Sequence, residues 1–320
     1  FLKGKIPEWR GFFSTKWLSD KIPFKVDVVY SFVCWPSTLL WGDWISIKKE
    51  CRHIIHIADH SRLFLEPKCL NTIQKANSLI VISDKMKELY ERKTNRKDIK
   101  VFHNFPDNRC FPKDNLFRIS NNSFSKSNPL ILTFIGGLYS YLHKESIEDI
   151  LNTVSKLYNE GYPIEMHLYG KRYPESFLKE EISQKGIIHN GLVMPLERKY
   201  EIMKKSHAFI IPSSFDPEIN QDYQYSFPTK LTEFIASGKP VIYYGPSITA
   251  SSSFFEKHKG VIIINTKSQK SIYKALGSLV NEFQDFQSAS KDNVYSIKDN
   301  FSKEIILKKF HNHLSHIISK

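Results

Sequence analysis

The chain has 320 residues, 41% hydrophobic and 25% charged, with a formal net charge of +13. That is the composition of a soluble globular protein long enough for two domains. No apolar run approaches the roughly 20 residues of a helical membrane span, and no secretory leader is visible. The positive balance suits an acidic partner: nucleic acid, an anionic membrane surface or a phosphorylated ligand.

In chain order, the first pattern is IPEWRGFFSTKWLSDKI, which sets Ile6, Trp9, Phe13 and Trp17 near one helical face beside Arg10, Lys16 and Lys21. Two readings fit: an interfacial membrane helix, or a core-facing helix, with Gly11 weakening either. KVDVVYSF, HIIHIAD, NSLIVISD and IKVFHNF then read as strands, with helical stretches between them. The basic run ERKTNRKDIK (91–100) fits a solvated helix end. Residues 107–129 lack any period, are rich in Asn, Ser and Pro, and read as an interdomain linker.

PLILTFIGG, PIEMHLYG, GIIHNG, HAFIIP, PVIYYG and GVIIIN read as six further strands. Strands alternating with helices predict parallel sheets with right-handed crossovers. The expected organisation is an α/β first domain at 1–106, a linker at 107–129, a complete doubly wound domain at 130–300 and a final helix within 301–320. That helix carries Ile305, Leu307 or Lys308, and Leu314 on one register. With four strands and a start at Phe1, the first domain reads as the later part of a longer one. Cys34, Cys51, Cys69 and Cys110 have no zinc-like spacing and read as reduced thiols of a cytosolic protein.

Ligands of open α/β sheets sit beyond the carboxyl ends of the strands, and three strand ends carry suggestive residues. Gly136 and Gly137 follow a strand and precede a helix, so their backbone permits close approach of a phosphate. His143 and Lys144 at the helix start add positive charge. A plain tight turn explains the glycines equally well. Gly191 turns the chain after another strand, so that backbone around Val193 faces a flat ring.

The third strand end, after HAFIIP, leads through about 14 loop residues to SFPTKLTEFIASGKPVIYYGP. Loops of that length inside a compact domain are usually functional or disordered. Pro228 suits a helix start, Gly238 and Pro240 its end. The start offers free N–H groups and a positive dipole end, and Lys230 adds a point charge. Glu233, about 4.5 Å further along the axis, is placed to accept hydrogen bonds from ribose hydroxyls. The bland alternative is a Lys230–Glu233 surface pair at i, i+3.

FPTKLTEFIASGKPVI resembles the donor-site helix of GT-B glycosyltransferases, especially retaining family 4. FIGGL, HLYGK, GIIHNGLVMP and HAFIIPSS follow in that family's order, and NSLIVISDKMKELYE with IKVFHNFPD is similar to its last units before the linker. The resemblance covers roughly residues 50–318. It implies two Rossmann-like domains facing a cleft, with Glu233 on the donor ribose. Amides of the Ser226, Phe227, Pro228 and Thr229 stretch would meet the diphosphate, and backbone near Val193 the base. The chain departs from the pattern at Tyr225, where the family often has Glu. Gly136-Gly137-Leu138 stands where it has Gly-Arg-Leu, so Lys144 or Lys230 replaces the arginine charge.

In the first domain His56, Asp59 and His60 lie at a strand end. Asp59 and His60 together can position an acceptor hydroxyl or take its proton; alternatively Asp59 caps the next helix and His56 is an interior residue. No Asp-x-Asp motif is present, which suits the metal-independent GT-B type without a cofactor. The expected function is a cytoplasmic glycosyltransferase with Asp59, His60 and Glu233 as catalytic residues. It would move a sugar from a nucleotide-sugar donor to a glycan or lipid-linked acceptor in surface polysaccharide synthesis, at the inner face of an anionic membrane and without nucleic acid. Two alternatives stand beside it: a nucleotide-sugar epimerase of the same fold, and a non-catalytic basic module that binds nucleic acid or membrane.

Overall fold

The computed structural model describes residues 25–112, 123–170, 172–173, 184–195 and 197–319. The aromatic-basic stretch with Trp9, Phe13 and Trp17 lies outside them. The chain forms two compact units, both α/β. Among the described residues, unit 1 comprises those within 25–103, 225–227 and 306–319, and unit 2 those within 104–224 and 228–305.

Unit 1 runs β1 (Val28–Val33), α1 (Pro36–Lys48), β2 (Arg52–Ile57), α2 (Pro67–Lys75), β3 (Ser78–Val81), α3 (Asp84–Thr94) and β4 (Lys100–Val101). The four strands are parallel and pair in chain order, with Ile54 opposite Ser78 and Val81 opposite Val101. Ile54, Ile55, Ile57, Leu79, Ile80 and Val81 are fully buried, as a parallel sheet covered on both faces requires. Proline opens α1 and α2, the Ser83 hydroxyl caps α3 by accepting from the Met86 amide, and left-handed Asn95 ends it. Within the basic run, Arg96 is structural: its guanidinium donates to the Ile73 and Ala76 carbonyls and to Asp98.

The last helix spans Lys303–Ser319. Ile306, Phe310, Leu314 and Ile317 pack on Ile54, Ile80 and Phe102 of unit 1, while Leu307 is 45% exposed. The expected register holds at Leu314 and is corrected at Ile305 and Leu307, whose places on the buried face Ile306 and Phe310 take. Extended backbone at Ser302 separates this helix from the preceding one and resets its phase.

Unit 2 contains β5 (Leu130–Ile135), β6 (Leu138–Tyr139), α4 (Ser140–Asn159), β7 (Ile164–Tyr169), β8 (Arg172–Tyr173), β9 (Ile187–His189), α5 (Glu197–Lys205) and β10 (Ala208–Pro212). It continues with α6 (Pro217–Tyr223), α7 (Lys230–Ala236), β11 (Val241–Tyr244), α8 (Ala250–Phe255), β12 (Val261–Ile264), α9 (Gln269–Asn281) and α10 (Phe283–Phe301). Its parallel sheet has the order β12-β11-β10-β5-β7-β9, and β6 and β8 form a small separate pair. The chain builds outward from β5 to β9, then crosses to the other side of β5. The switch point thus lies between β5 and β10, where a crevice opens beyond the strand ends.

Two details position the site. The stretch after β10 contains the short helix α6, so it is not the unbroken loop that the sequence suggested. Asp216 caps it by accepting from the Glu218 amide at 2.8 Å, and Pro217 opens it. Helix α7 is held to the sheet by Phe234, whose ring stacks on Phe209 of β10 with centroids 4.2 Å apart.

Candidate functional site

Gly136, Gly170 and Lys230 meet at the switch point of unit 2. Gly136 ends β5, and its amide donates to the Tyr169 carbonyl at the end of β7. A methyl group on Gly136 would lie 2.3 Å from the Lys230 ammonium, and one on Gly170 would lie 1.7 Å from the Gly136 carbonyl oxygen. These glycines are there because two strand ends and a lysine head meet with no room for a side chain. Lys230 reaches them from the first turn of α7, with its ammonium 5.0 Å from the centre of the Phe134 ring. Its stem is half-buried, and burial pushes its pKa down to about 8, with the Glu233 charge opposing and Lys199 adding to the fall.

The first turn of α7 starts tightly, with the Leu231 amide donating to the Pro228 carbonyl. Pro228 therefore sits just ahead of the helix and supplies no N–H of its own.

Glu233 does not pair with Lys230. Its Oε2 accepts from the Lys199 ammonium at 2.5 Å, and both side chains are largely buried, 11% and 15% exposed. The Lys230–Glu233 surface pair is thereby excluded. Lys199 stands on α5, four residues before the buried Met203. Beneath the pair lies Cys110, whose thiol is pushed up to about 12 by burial first, then by the Glu233 charge, with Lys199 opposing.

His143 lies beside Gly137, its Nε2 3.2 Å from that carbonyl oxygen. Burial lowers its pKa to about 4, the Gly137 carbonyl opposing and Lys230 adding to the fall. It is neutral at physiological pH, so it supplies a hydrogen bond there and not the expected charge. Lys144 is exposed and pairs with Glu148 along the helix at 3.7 Å. At the end of β9, Gly191 adopts a positive φ of 72°, and its carbonyl accepts from the Gly170 amide. Val193 is half-buried between the exposed Leu192 and Met194.

Unit 1 holds the other candidates. Asp59 is exposed beyond β2, and its Oδ1 accepts from the Ser226 hydroxyl at 2.8 Å. It is not a helix cap, because the next turn, Arg62–Leu65, is capped by Ser61. His60 is buried, its Nδ1 3.2 Å from the Tyr90 hydroxyl and its ring edge-on to Tyr225. The Tyr225 carbonyl accepts from Ser83, and the buried Phe227 ring packs on His103. Ser226 and Phe227 are thus fixed by unit 1 contacts. His56 is kept neutral by burial, with a pKa near 4, and its Nδ1 meets the Tyr30 hydroxyl.

Residues 129–282 match the family model of glycosyl transferases group 1. The matched segment contains Gly136, His143, Lys199, Lys230 and Glu233 but not Cys110. No curated protein matches the chain. The fold is that of GT-B glycosyltransferases of known structure. Anabaena Alr3699/HepE in complex with UDP superposes with a TM-score of 0.73 at 13% identity, over 96% of this chain and 82% of that one. A glycosyltransferase from Rickettsia africae gives 0.71 at 14% identity, over 99% and 84%. The pneumococcal O-GlcNAc transferase GtfA in complex with UDP and GlcNAc gives 0.68 at 15%, over 97% and 61%.

Sequence reasoning did not single out Lys199, which the structure pairs with Glu233. The available signal was periodicity. Tyr200, Ile202 and Met203 form the buried side of α5, and Lys199, at i, i+4 from Met203, falls beside them. A lysine on a buried face requires a partner.

Proposed function

We propose that the protein is a retaining glycosyltransferase of family 4 that moves a sugar from a nucleoside diphosphate donor to a glycan or lipid-linked acceptor. The observation that carries this reading is the placement of Lys230 against Gly136 at the switch point, with the Glu233 carboxylate one helical turn further on. A cation beside crowded backbone suits a diphosphate, and a carboxylate at that step suits ribose hydroxyls. HepE, a structural neighbour, has been seen with UDP-glucose.

In this mechanism the bond between the anomeric carbon and the diphosphate breaks as the acceptor oxygen bonds to that carbon on the same face, and the nucleoside diphosphate leaves with its charge held by Lys230 and the first amides of α7. Electrostatic stabilisation of that leaving group supplies most of the acceleration. His143, neutral, donates from Nε2 to the Gly137 carbonyl. Asp59, with Ser226 on one oxygen, takes the proton of the acceptor hydroxyl, and His60 braces Tyr225 behind it. The reaction uses no resident cofactor or metal, and the protein works in surface polysaccharide synthesis at the cytoplasmic face of an anionic membrane, without nucleic acid. Exposed Lys308 and Lys309, flanking exposed Leu307, favour that location.

The test is a panel of nucleotide-sugars offered with and without lipid-linked and soluble glycans, read by mass spectrometry of the released nucleotide. Release of nucleoside diphosphate that requires an acceptor supports transfer. Conversion of the sugar with no acceptor supports the epimerase reading. Flotation with anionic liposomes, lost at high salt, tests the location.

A further inference from the structure

We infer that Lys199 is a positioning residue of the donor site, orienting the Glu233 carboxylate toward the ribose of a nucleoside diphosphate donor. The inference rests on the function proposed above and adds to it a residue outside the motif-bearing helix.

The argument starts from the cost of the pair. Glu233 is 8% exposed and Lys199 has little more access to water. Desolvating two charges offsets most of their attraction, and packed apolar side chains of similar size often stabilise a fold as well or better. Stability therefore gives no reason to keep an ion pair here. Lys230, on the same helix as Glu233, is engaged at Gly136 and Phe134, so it leaves the carboxylate to Lys199.

The geometry of the pair is one-sided. Lys199 donates to Oε2, and among the described residues no hydrogen bond engages Oε1. A carboxylate fixed through one oxygen has a set rotamer, and its other oxygen is preorganised to accept from a hydroxyl. Lys199 approaches from α5 and Lys230 from α7, so the two ammonium groups serve different parts of one ligand. Lys230 meets the phosphates, whereas Lys199 acts only through the sugar-binding carboxylate.

Calorimetry on the full chain separates these roles. The Lys199→Met variant, which keeps the stem, is compared with wild type for a nucleoside diphosphate, the parent nucleoside and the 2′,3′-dideoxy nucleoside diphosphate. We expect affinity for the first two to fall by the same factor, about tenfold to a hundredfold as for a charge-assisted hydrogen bond. The dideoxy compound binds both proteins equally, and Lys199→Arg restores most of the loss. Equal loss for all three ligands would mean a merely structural role and would overturn the inference. A loss confined to the two diphosphates would make Lys199 a phosphate contact and overturn it as well. Wild type that takes up no nucleoside diphosphate would instead overturn the donor-site reading, and this assignment with it. Circular dichroism confirms that each variant is folded; if Lys199→Met is not, Lys199→Gln serves in its place.

Discussion

Glu233 is held by Lys199, thirty-four residues away in sequence, and not by Lys230, its neighbour one turn back on the same helix. That single pairing divides the charges of the donor site. It leaves the Lys230 ammonium against Gly136, where burial has already weakened its hold on a proton. It also turns Glu233 from a surface residue into a buried one, with consequences for stability as well as binding.

Glu233→Ala leaves the Lys199 ammonium buried without its counter-charge. The buried pair sets the expected loss of stability at about 3–5 kcal/mol. The double variant Lys199→Met/Glu233→Leu recovers most of this in urea denaturation but does not bind nucleoside diphosphate. An unchanged midpoint for Glu233→Ala, or a double variant weaker than both singles, would contradict the buried-pair account.

Lys230 links binding to pH. Its folded pKa of about 8 lies below the ordinary 10.5. Between these values the unfolded chain binds more protons, so stability rises with pH from about 8 to 10.5, and the full penalty is present below 8. A bound diphosphate favours the ammonium and raises its pKa. Binding near pH 8 therefore takes up a proton, and affinity falls as pH rises above that value. Calorimetry in buffers of different ionisation enthalpy measures the uptake, which Lys230→Met abolishes. A binding enthalpy independent of buffer in wild type would show that Lys230 does not titrate on binding.

Two glycines offer a contrast. The added methyl of Gly136→Ala meets the end of a flexible lysine, which moves aside at little cost in stability and carries its charge off the phosphate site. That of Gly170→Ala meets the Gly136 carbonyl, which is backbone. We expect Gly136→Ala to melt near wild type with weakened diphosphate binding and unchanged nucleoside binding. Gly170→Ala is expected to lose stability outright. Thermal melts in the reverse order would refute the packing described at the strand ends.

Asp59→Asn keeps the acceptor oxygen for Ser226 but removes the base. Turnover is expected to fall by about 10²–10⁴, the usual contribution of a positioned base, with donor affinity unchanged. Steady-state kinetics with separate donor and acceptor titrations check this. A loss confined to the donor KM would assign Asp59 to holding the Ser226 segment.

Much of the fold is written locally. Strands such as LILTFI and VIYY are almost wholly hydrophobic because both faces of a parallel sheet are covered, and prolines, glycines and capping hydroxyls punctuate the helices between them. Local chemistry also pointed to Gly136, Lys230 and Glu233, through a glycine pair just after a strand and a helix punctuated by Pro228, Gly238 and Pro240. What periodicity could not supply is any partner chosen across the fold. The Lys199–Glu233 pair, the grouping of residues 225–227 with unit 1, and the face that the last helix buries each depend on where separate elements meet. A repeat of 3.6 or 2 residues says which side of an element avoids water. Only the packed structure decides which side chain from another element arrives to meet it.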